Sequence, residues 1–285
     1  MTTMAFLAAC LQMRSTRSVE RNMAAFSALA EQAIGQGARF LQSPEMSNIV
    51  ERSRKDLFAA IATEDQDPFL AQARALAAKA GVTIHLGSLA IREGEKIANR
   101  GFLIGPDGAV VARYDKLHLF DVDLPNGESW RESATYTAGQ CGVVAPAEGA
   151  QLGMGICYDL RFPSLFHALA EAGADMLSAP ACFTRQTGEA HWVVLQRARA
   201  IETGSFMISA AQGGVHEDGR ETFGHSIIID PWGRVLAEAD DEPGVILAEI
   251  DLAKVADARM RIPTLKHARA IRVERIGEGQ REAAE

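Results

Sequence analysis

The 285-residue sequence predicts an α/β fold in four layers, an α-β-β-α sandwich of two mixed sheets packed face to face with helices on the outer faces. Three observations predict it. Strand-length apolar runs alternate with amphipathic stretches along the whole chain. At least one pair of runs is joined by a hairpin turn instead of a helical crossover. The strands are numerous enough to fill two sheets. No low-complexity linker or fixed-period repeat interrupts the series, so residues 1–285 read as one domain with a short C-terminal tail from about 262.

Residues 4–11 read as the first strand. Ser18 then caps a helix that carries Val19, Met23, Phe26, Leu29 and Ala33 on one face, and Gly35 or Gly37 ends it. A short strand over 38–42 stops at Pro44, which has no N-H for the ladder, so Glu45 lies just past a strand end. A second helix has Asp67 as N-cap, Pro68 in its first position and Gly81 as terminator, and a strand over 82–90 follows. Strands over 97–104 and 110–114 flank Gly105-Pro106-Asp107-Gly108 as an antiparallel hairpin.

After a long loop, a strand over 151–156 leads directly into Cys157, a helix over 163–172 and a strand over 174–179. A helix over 189–203, strands over 205–211 and 225–230, the turn Pro231-Trp232-Gly233 and strands near Val235 and Val245 complete the pattern.

With 47% hydrophobic residues the chain can bury a large core, and a formal charge of -8 leaves no broad basic surface for nucleic acid. No apolar run reaches the roughly 20 residues of a membrane span. The N-terminus lacks a signal-peptide pattern. The four cysteines show neither zinc-site pairing nor disulfide-scaffold density, which points to a reducing, cytoplasmic setting with free thiols. None of the seven histidines forms His-x-x-x-His and no Cys-x-x-Cys occurs, so no metal or other cofactor is expected. Gly153-Met154-Gly155 is only part of a dinucleotide fingerprint, because Tyr158 stands at its third glycine position.

Three polar residues stand at ends of strands. Cys157 sits at a strand-to-helix turn, where side chains project into a crevice and helix-start N-H groups favour an anion, conditions that suit a thiolate. Lys116 follows the second strand of the hairpin, and Glu45 follows the strand at 38–42. Each alone reads as ordinary: a lone cysteine is usually a small buried apolar residue, and a lysine or glutamate at a turn is usually solvated. Together they suggest a nucleophile with a base and a cation. A Cys/His arrangement would need His118, two residues beyond Lys116.

The order Glu45, Lys116, Cys157 resembles the Glu-Lys-Cys triad of the nitrilase superfamily. The likeness extends over nearly the whole chain, through Cys157-Tyr158-Asp159-Leu160-Arg161-Phe162-Pro163, His191-Trp192, the run 197–203, Gly224-His225-Ser226 and Asp230-Pro231-Trp232-Gly233. It implies an amidase whose base is Glu45, with Lys116 and the Tyr158 N-H facing the oxyanion. Glu132 corresponds to an additional glutamate beside the triad, with Glu128 as its rival. Ser43 departs from the leucine frequent in relatives, and Cys182 falls near an expected pocket wall.

Within the superfamily, Asp121-Val122-Asp123 together with Gly188-Glu189-Ala190-His191-Trp192 is most similar to amidases of deaminated glutathione, with omega-amidases second. The expected partner is a small-molecule amide, in a homodimer or larger homo-oligomer as is common in the superfamily. Phe183 is expected beside the substrate, and Arg185, Arg220 and His216 are loop residues that could meet its carboxylates. A silent binding protein on the same fold is the reading from a different class. The intact triad speaks against it.

Overall fold

A computed structural model describes residues 5–124, 127 and 129–274. Its two principal sheets are mixed and built alike. In the first the order is Gly244–Asp251, Ala5–Gln12, Phe40–Gln42, Thr83–Glu93, Lys96–Ile104 and Val110–Asp115, with the short strand Tyr136–Thr137 also on Lys96–Ile104. In the second it is Val235–Glu238, Ile227–Ile229, Phe206–Ser209, Met176–Ser178, Ala150–Met154 and Val143–Ala147. In both sheets three parallel strands form the centre and antiparallel strands form the wings.

Alternation along the first strand fixes the layers. Ala8 and Cys10 pack between the sheets with Phe40, Leu152, Met176 and Ile228. Ala9 and Leu11 point the other way, toward Phe26 and Phe69 on the helices Val19–Gly35 and Pro68–Ala80. The helices Pro163–Glu171 and Arg185–Thr203 cover the second sheet. The four-layer expectation is therefore correct, and each fully buried Phe or Leu contributes roughly 1.5 to 3 kcal/mol to it.

The local signals act as read. The Ser18 hydroxyl accepts from the Arg21 N-H, the Asp67 carboxylate accepts from the Leu70 N-H at 2.8 Å, and Gly81 adopts the left-handed conformation that ends its helix. Gly153 serves close packing: a Cβ there would sit 2.9 to 3.0 Å from Leu177, Ala174 and Leu169. Most strand ends shift by one to three residues, and the loop expected before 151 carries the strand Val143–Ala147. The last long helix starts at Arg185, four residues early, because Thr184 is its extended N-cap residue and the polar turn 185–188 is helical. The short helix Arg54–Ala60, capped by Ser53, lacks an apolar face long enough to stand out. Among the described residues no helix is long and apolar enough to cross a membrane.

Candidate active site

Topology gathers the strand-end residues. Between Thr83–Glu93 and Val110–Asp115 the chain reverses twice, so the latter runs in the same sense as Phe40–Gln42 and delivers Lys116 to the same end of the sheet as Glu45. The Glu45 turn is held at both sides: the Ser43 N-H donates to His85 O at 3.0 Å, and Met46, left-handed at φ 58°, donates its N-H to the Ser88 hydroxyl. Gly87 makes the approach possible, since a Cβ there would lie 2.2 Å from Ser43 O and 2.5 Å from Pro180 Cβ.

The cluster is dense and buried. Glu45 Oε1 accepts from Lys116 Nζ and from Asn99 Nδ2, both at 2.9 Å, while Oε2 accepts from the Cys182 N-H at 2.7 Å. Lys116 Nζ also donates to Glu132 Oε1 and Oε2 at 3.1 and 2.9 Å. Glu132 is fixed in turn by Asn99 Nδ2 and the Phe120 N-H. Glu45, Lys116 and Cys157 are all buried. Burial opposes charge on Lys116, but the carboxylates of Glu132 and Glu45 outweigh it and hold the ammonium well above its ordinary range. Burial likewise pushes the Glu45 carboxyl up, yet Lys116, with hydrogen bonds from Lys116, Asn99 and Cys157, brings it below the usual value. Glu128 lies outside the described residues.

Cys157 follows strand Ala150–Met154 and opens the 3-10 turn Cys157–Arg161. Its φ of 49° is rare for a residue with a Cβ, a backbone strain of order 1 to 3 kcal/mol that aims the side chain off the strand end. Its own N-H donates to Pro180 O at 3.0 Å, whereas the next N-H, of Tyr158, has no acceptor among the described residues.

The surroundings of Cys157 favour the thiol over the thiolate. Burial and the Glu45 carboxylate push the Cys157 thiol well above its ordinary value, and the opposing Lys116 charge does not compensate. A single 3-10 turn is too weak an N-terminal dipole to reverse this. Both shifts favour the same arrangement, a thiol proton shared by hydrogen bond with the Glu45 carboxylate.

A buried carboxylate fastens the Cys157 turn to the lysine loop. Asp159 Oδ2 accepts from the Tyr114 hydroxyl at 2.7 Å and the Ile156 N-H at 2.9 Å, and Oδ1 accepts from the His118 N-H at 3.0 Å. Tyr114 and His118 flank Lys116, while Ile156 precedes Cys157, so one side chain sets both. His118 Nδ1 also lies 2.6 Å from Asp159 and its ring stacks on Phe162. That removes it from a Cys/His pairing.

Cys157, Glu45, Lys116 and Glu132 open onto a cavity of about 320 Å³, together with Tyr158, Phe183 and Arg220. Two expected residues do not line it. Arg185 is the first residue of its helix and is drawn to Asp241 at 2.9 Å and Glu221 at 3.6 Å. His216 is buried between Ser15 O and the Thr222 hydroxyl, each 2.8 Å away, and burial lowers its basicity. It is a neutral structural link and not a loop cation. Sequence reasoning missed Asn99, Trp130, Phe120 and Arg52. Asn99 alone left a trace, as a buried amide in the strand Lys96–Ile104, beside Arg100.

An α-β-β-α sandwich with a buried cysteine, glutamate and lysine in one cavity defines a class, and the Carbon-nitrogen hydrolase family model matches residues 7–260. The chain belongs to that family, enzymes that break carbon-nitrogen bonds with water. It is similar to a deaminated glutathione amidase from Synechocystis sp., 41% identical over 271 residues that cover 92% of this chain and 97% of that protein. Among solved structures it is similar to the C. elegans NitFhit protein, with a TM-score of 0.87 and 34% identity over 94% of this chain and 66% of that one, just under two thirds of its length. A CN-hydrolase superfamily protein from Xanthomonas campestris, solved with an arsenic adduct in its active site, gives a TM-score of 0.82 and 26% identity over 95% of this chain and 99% of that one.

Proposed function

We propose that the protein hydrolyses deaminated glutathione, releasing 2-oxoglutarate and cysteinylglycine, with Cys157 as nucleophile and Glu45 as the acid-base residue. The carrying observation is the shared position of Glu45: one buried carboxylate takes hydrogen bonds from Lys116 at 2.9 Å and from the Cys157 thiol. The 41% identity to a Synechocystis protein of that name supports the substrate.

The steps follow from the resting charges. Glu45 takes the thiol proton as Cys157 Sγ attacks the amide carbonyl, so no free thiolate need accumulate. The oxyanion that forms meets the fixed Lys116 ammonium and the open Tyr158 N-H. Glu45 returns its proton to the departing nitrogen, the C-N bond breaks, and a thioester remains. Glu45 then deprotonates a water molecule that attacks the thioester, and the regenerated thiol recovers that proton as the acid leaves. Glu132 keeps Lys116 charged and aimed throughout.

The four free cysteines support a reducing, cytoplasmic setting. A homo-oligomer belongs to the same reading and is checked by sedimentation. The substrate test compares kcat/KM for deaminated glutathione and for 2-oxoglutaramate, which offers the same 2-oxo acid amide without the peptide. A higher value for the longer compound is expected, and equal or reversed values would make this an omega-amidase.

A further inference from the structure

Deaminated glutathione carries two carboxylates, one on the 2-oxo acid and one on the glycine, and the cavity contains cationic groups that the chemistry at Cys157 does not use. Arg220 lines the cavity, and its side chain is only 16% exposed. Its buried Nε has no hydrogen-bond partner among the described residues. Nη2 stands 3.7 Å from Asp218 Oδ2 and Nη1 3.5 Å from Cys182 Sγ. Charge-assisted bonds are closer, at roughly 2.7 to 2.9 Å.

Arg52, also on the cavity, lies 3.8 Å from the same Asp218 oxygen, so one carboxylate is divided between two cations. Both guanidiniums pack over Trp130, with Cζ 4.9 Å from its ring centroid for Arg52 and 4.8 Å for Arg220. A buried guanidinium without close acceptors is costly, and a bidentate anion would satisfy it.

We propose that Arg220 and Arg52, grouped around Trp130, form a subsite for a substrate carboxylate, which makes Arg220 a specificity-determining residue; this rests on the amidase reading above. Cys182 sets the spacing. Its N-H donates to Glu45 Oε2 at 2.7 Å and its sulfur lies 3.5 Å from Arg220 Nη1, so a single residue bridges the guanidinium and the acid-base carboxylate. In the 2-oxoglutaryl group the free carboxylate is four C-C bonds from the scissile carbonyl, about 5 Å when extended. The glycine carboxylate lies six bonds away on the other side. Both fit the shared chemistry.

The test measures kcat/KM for wild type, Arg220→Met, Arg220→Lys and Arg52→Met on three short amides. These are 2-oxoglutaramate with an acyl-side carboxylate, butyryl-cysteinylglycine with a tail carboxylate, and butyramide with neither. Arg220→Met should lose roughly 10- to 100-fold more on a carboxylate substrate than on butyramide, mainly through KM. The substrate that suffers identifies which carboxylate is held. Arg220→Lys should recover part of the loss, and Arg52→Met should lose less because Arg52 is the more exposed partner. Equal losses on all three amides would assign Arg220 a structural role and overturn the proposal, as would the absence of any loss. Failure of the wild type on deaminated glutathione strikes the substrate assignment alone, since the short amides still read out the subsite.

Discussion

Two cation clusters stand side by side on one hairpin and have opposite characters. Arg100 and Asp115 are direct partners across the strands, and Arg100 reaches Asp115, Glu93 and Glu64 at 2.6 to 2.9 Å on a half-buried face whose carboxylates are partly exposed. One residue along, Asn99 and Lys116 point to the other face and meet Glu45 and Glu132 in the buried cavity. The parts are nearly the same. Strand alternation alone puts one set on a half-buried face where its carboxylate partners meet water, and the other into a buried site where charges act on one another more strongly.

Four substitutions or conditions test how deep that difference goes. Cys157→Ala should cut turnover by roughly 10^4-fold or more while circular dichroism stays native, because only a small volume is lost. Wild-type-like turnover would remove the thioester route. Lys116→Met should lower kcat by roughly 10^2- to 10^3-fold and also destabilise the fold by about 3 kcal/mol in denaturant titration, since it strands two carboxylates. Intact kcat there would leave the oxyanion without its proposed cation.

The pH profile is the next sharpest probe. Glu45 is held below the usual carboxylate range, so the stability from its ion pair is complete above about pH 4.3 and is lost only as pH falls through the lower folded value. Activity should follow the same acid limb. Because the Cys157 thiol is pushed well up, kcat/KM should not rise between about pH 7 and 9, and a rise centred near 8.5 would mean that a free thiolate is the reactive form. The smallest effect belongs to the outer cluster. Arg100→Met should cost about 1 kcal/mol of stability and leave kcat within about twofold, and a large kcat loss would show that the two faces are coupled.

The site was legible in the sequence where single residues follow clear punctuation. Pro44 ends a strand before Glu45, and an apolar run ends at Cys157, so both could be put at strand ends without coordinates. The helix signals at Ser18, Asp67, Pro68 and Gly81 act through bonds within a few residues and are equally readable. Arg185 and His216 misled because a loop position says nothing about which distant carboxylate or carbonyl will claim a side chain. Arg52 and Trp130 lie 78 residues apart and meet only after both sheets have formed, so no spacing rule joins them. How strongly the Cys157 thiol resists ionisation was not readable, because burial, which sets it, is a property of the assembled cavity.

Gly87 has a wider meaning than its turn suggests. It touches Ser43 and Pro44, which lead into Glu45 on one sheet, and Pro180, whose carbonyl holds the Cys157 N-H on the other. The gap between Glu45 and Cys157 is therefore gauged by a missing methyl group. Drift elsewhere in the chain can reshape the rim and alter which amide is admitted, but it can reset that gap only by moving two sheets at once. The mouth of the cavity is lined by side chains that can be exchanged singly, whereas the distance across its floor is set where two sheets meet.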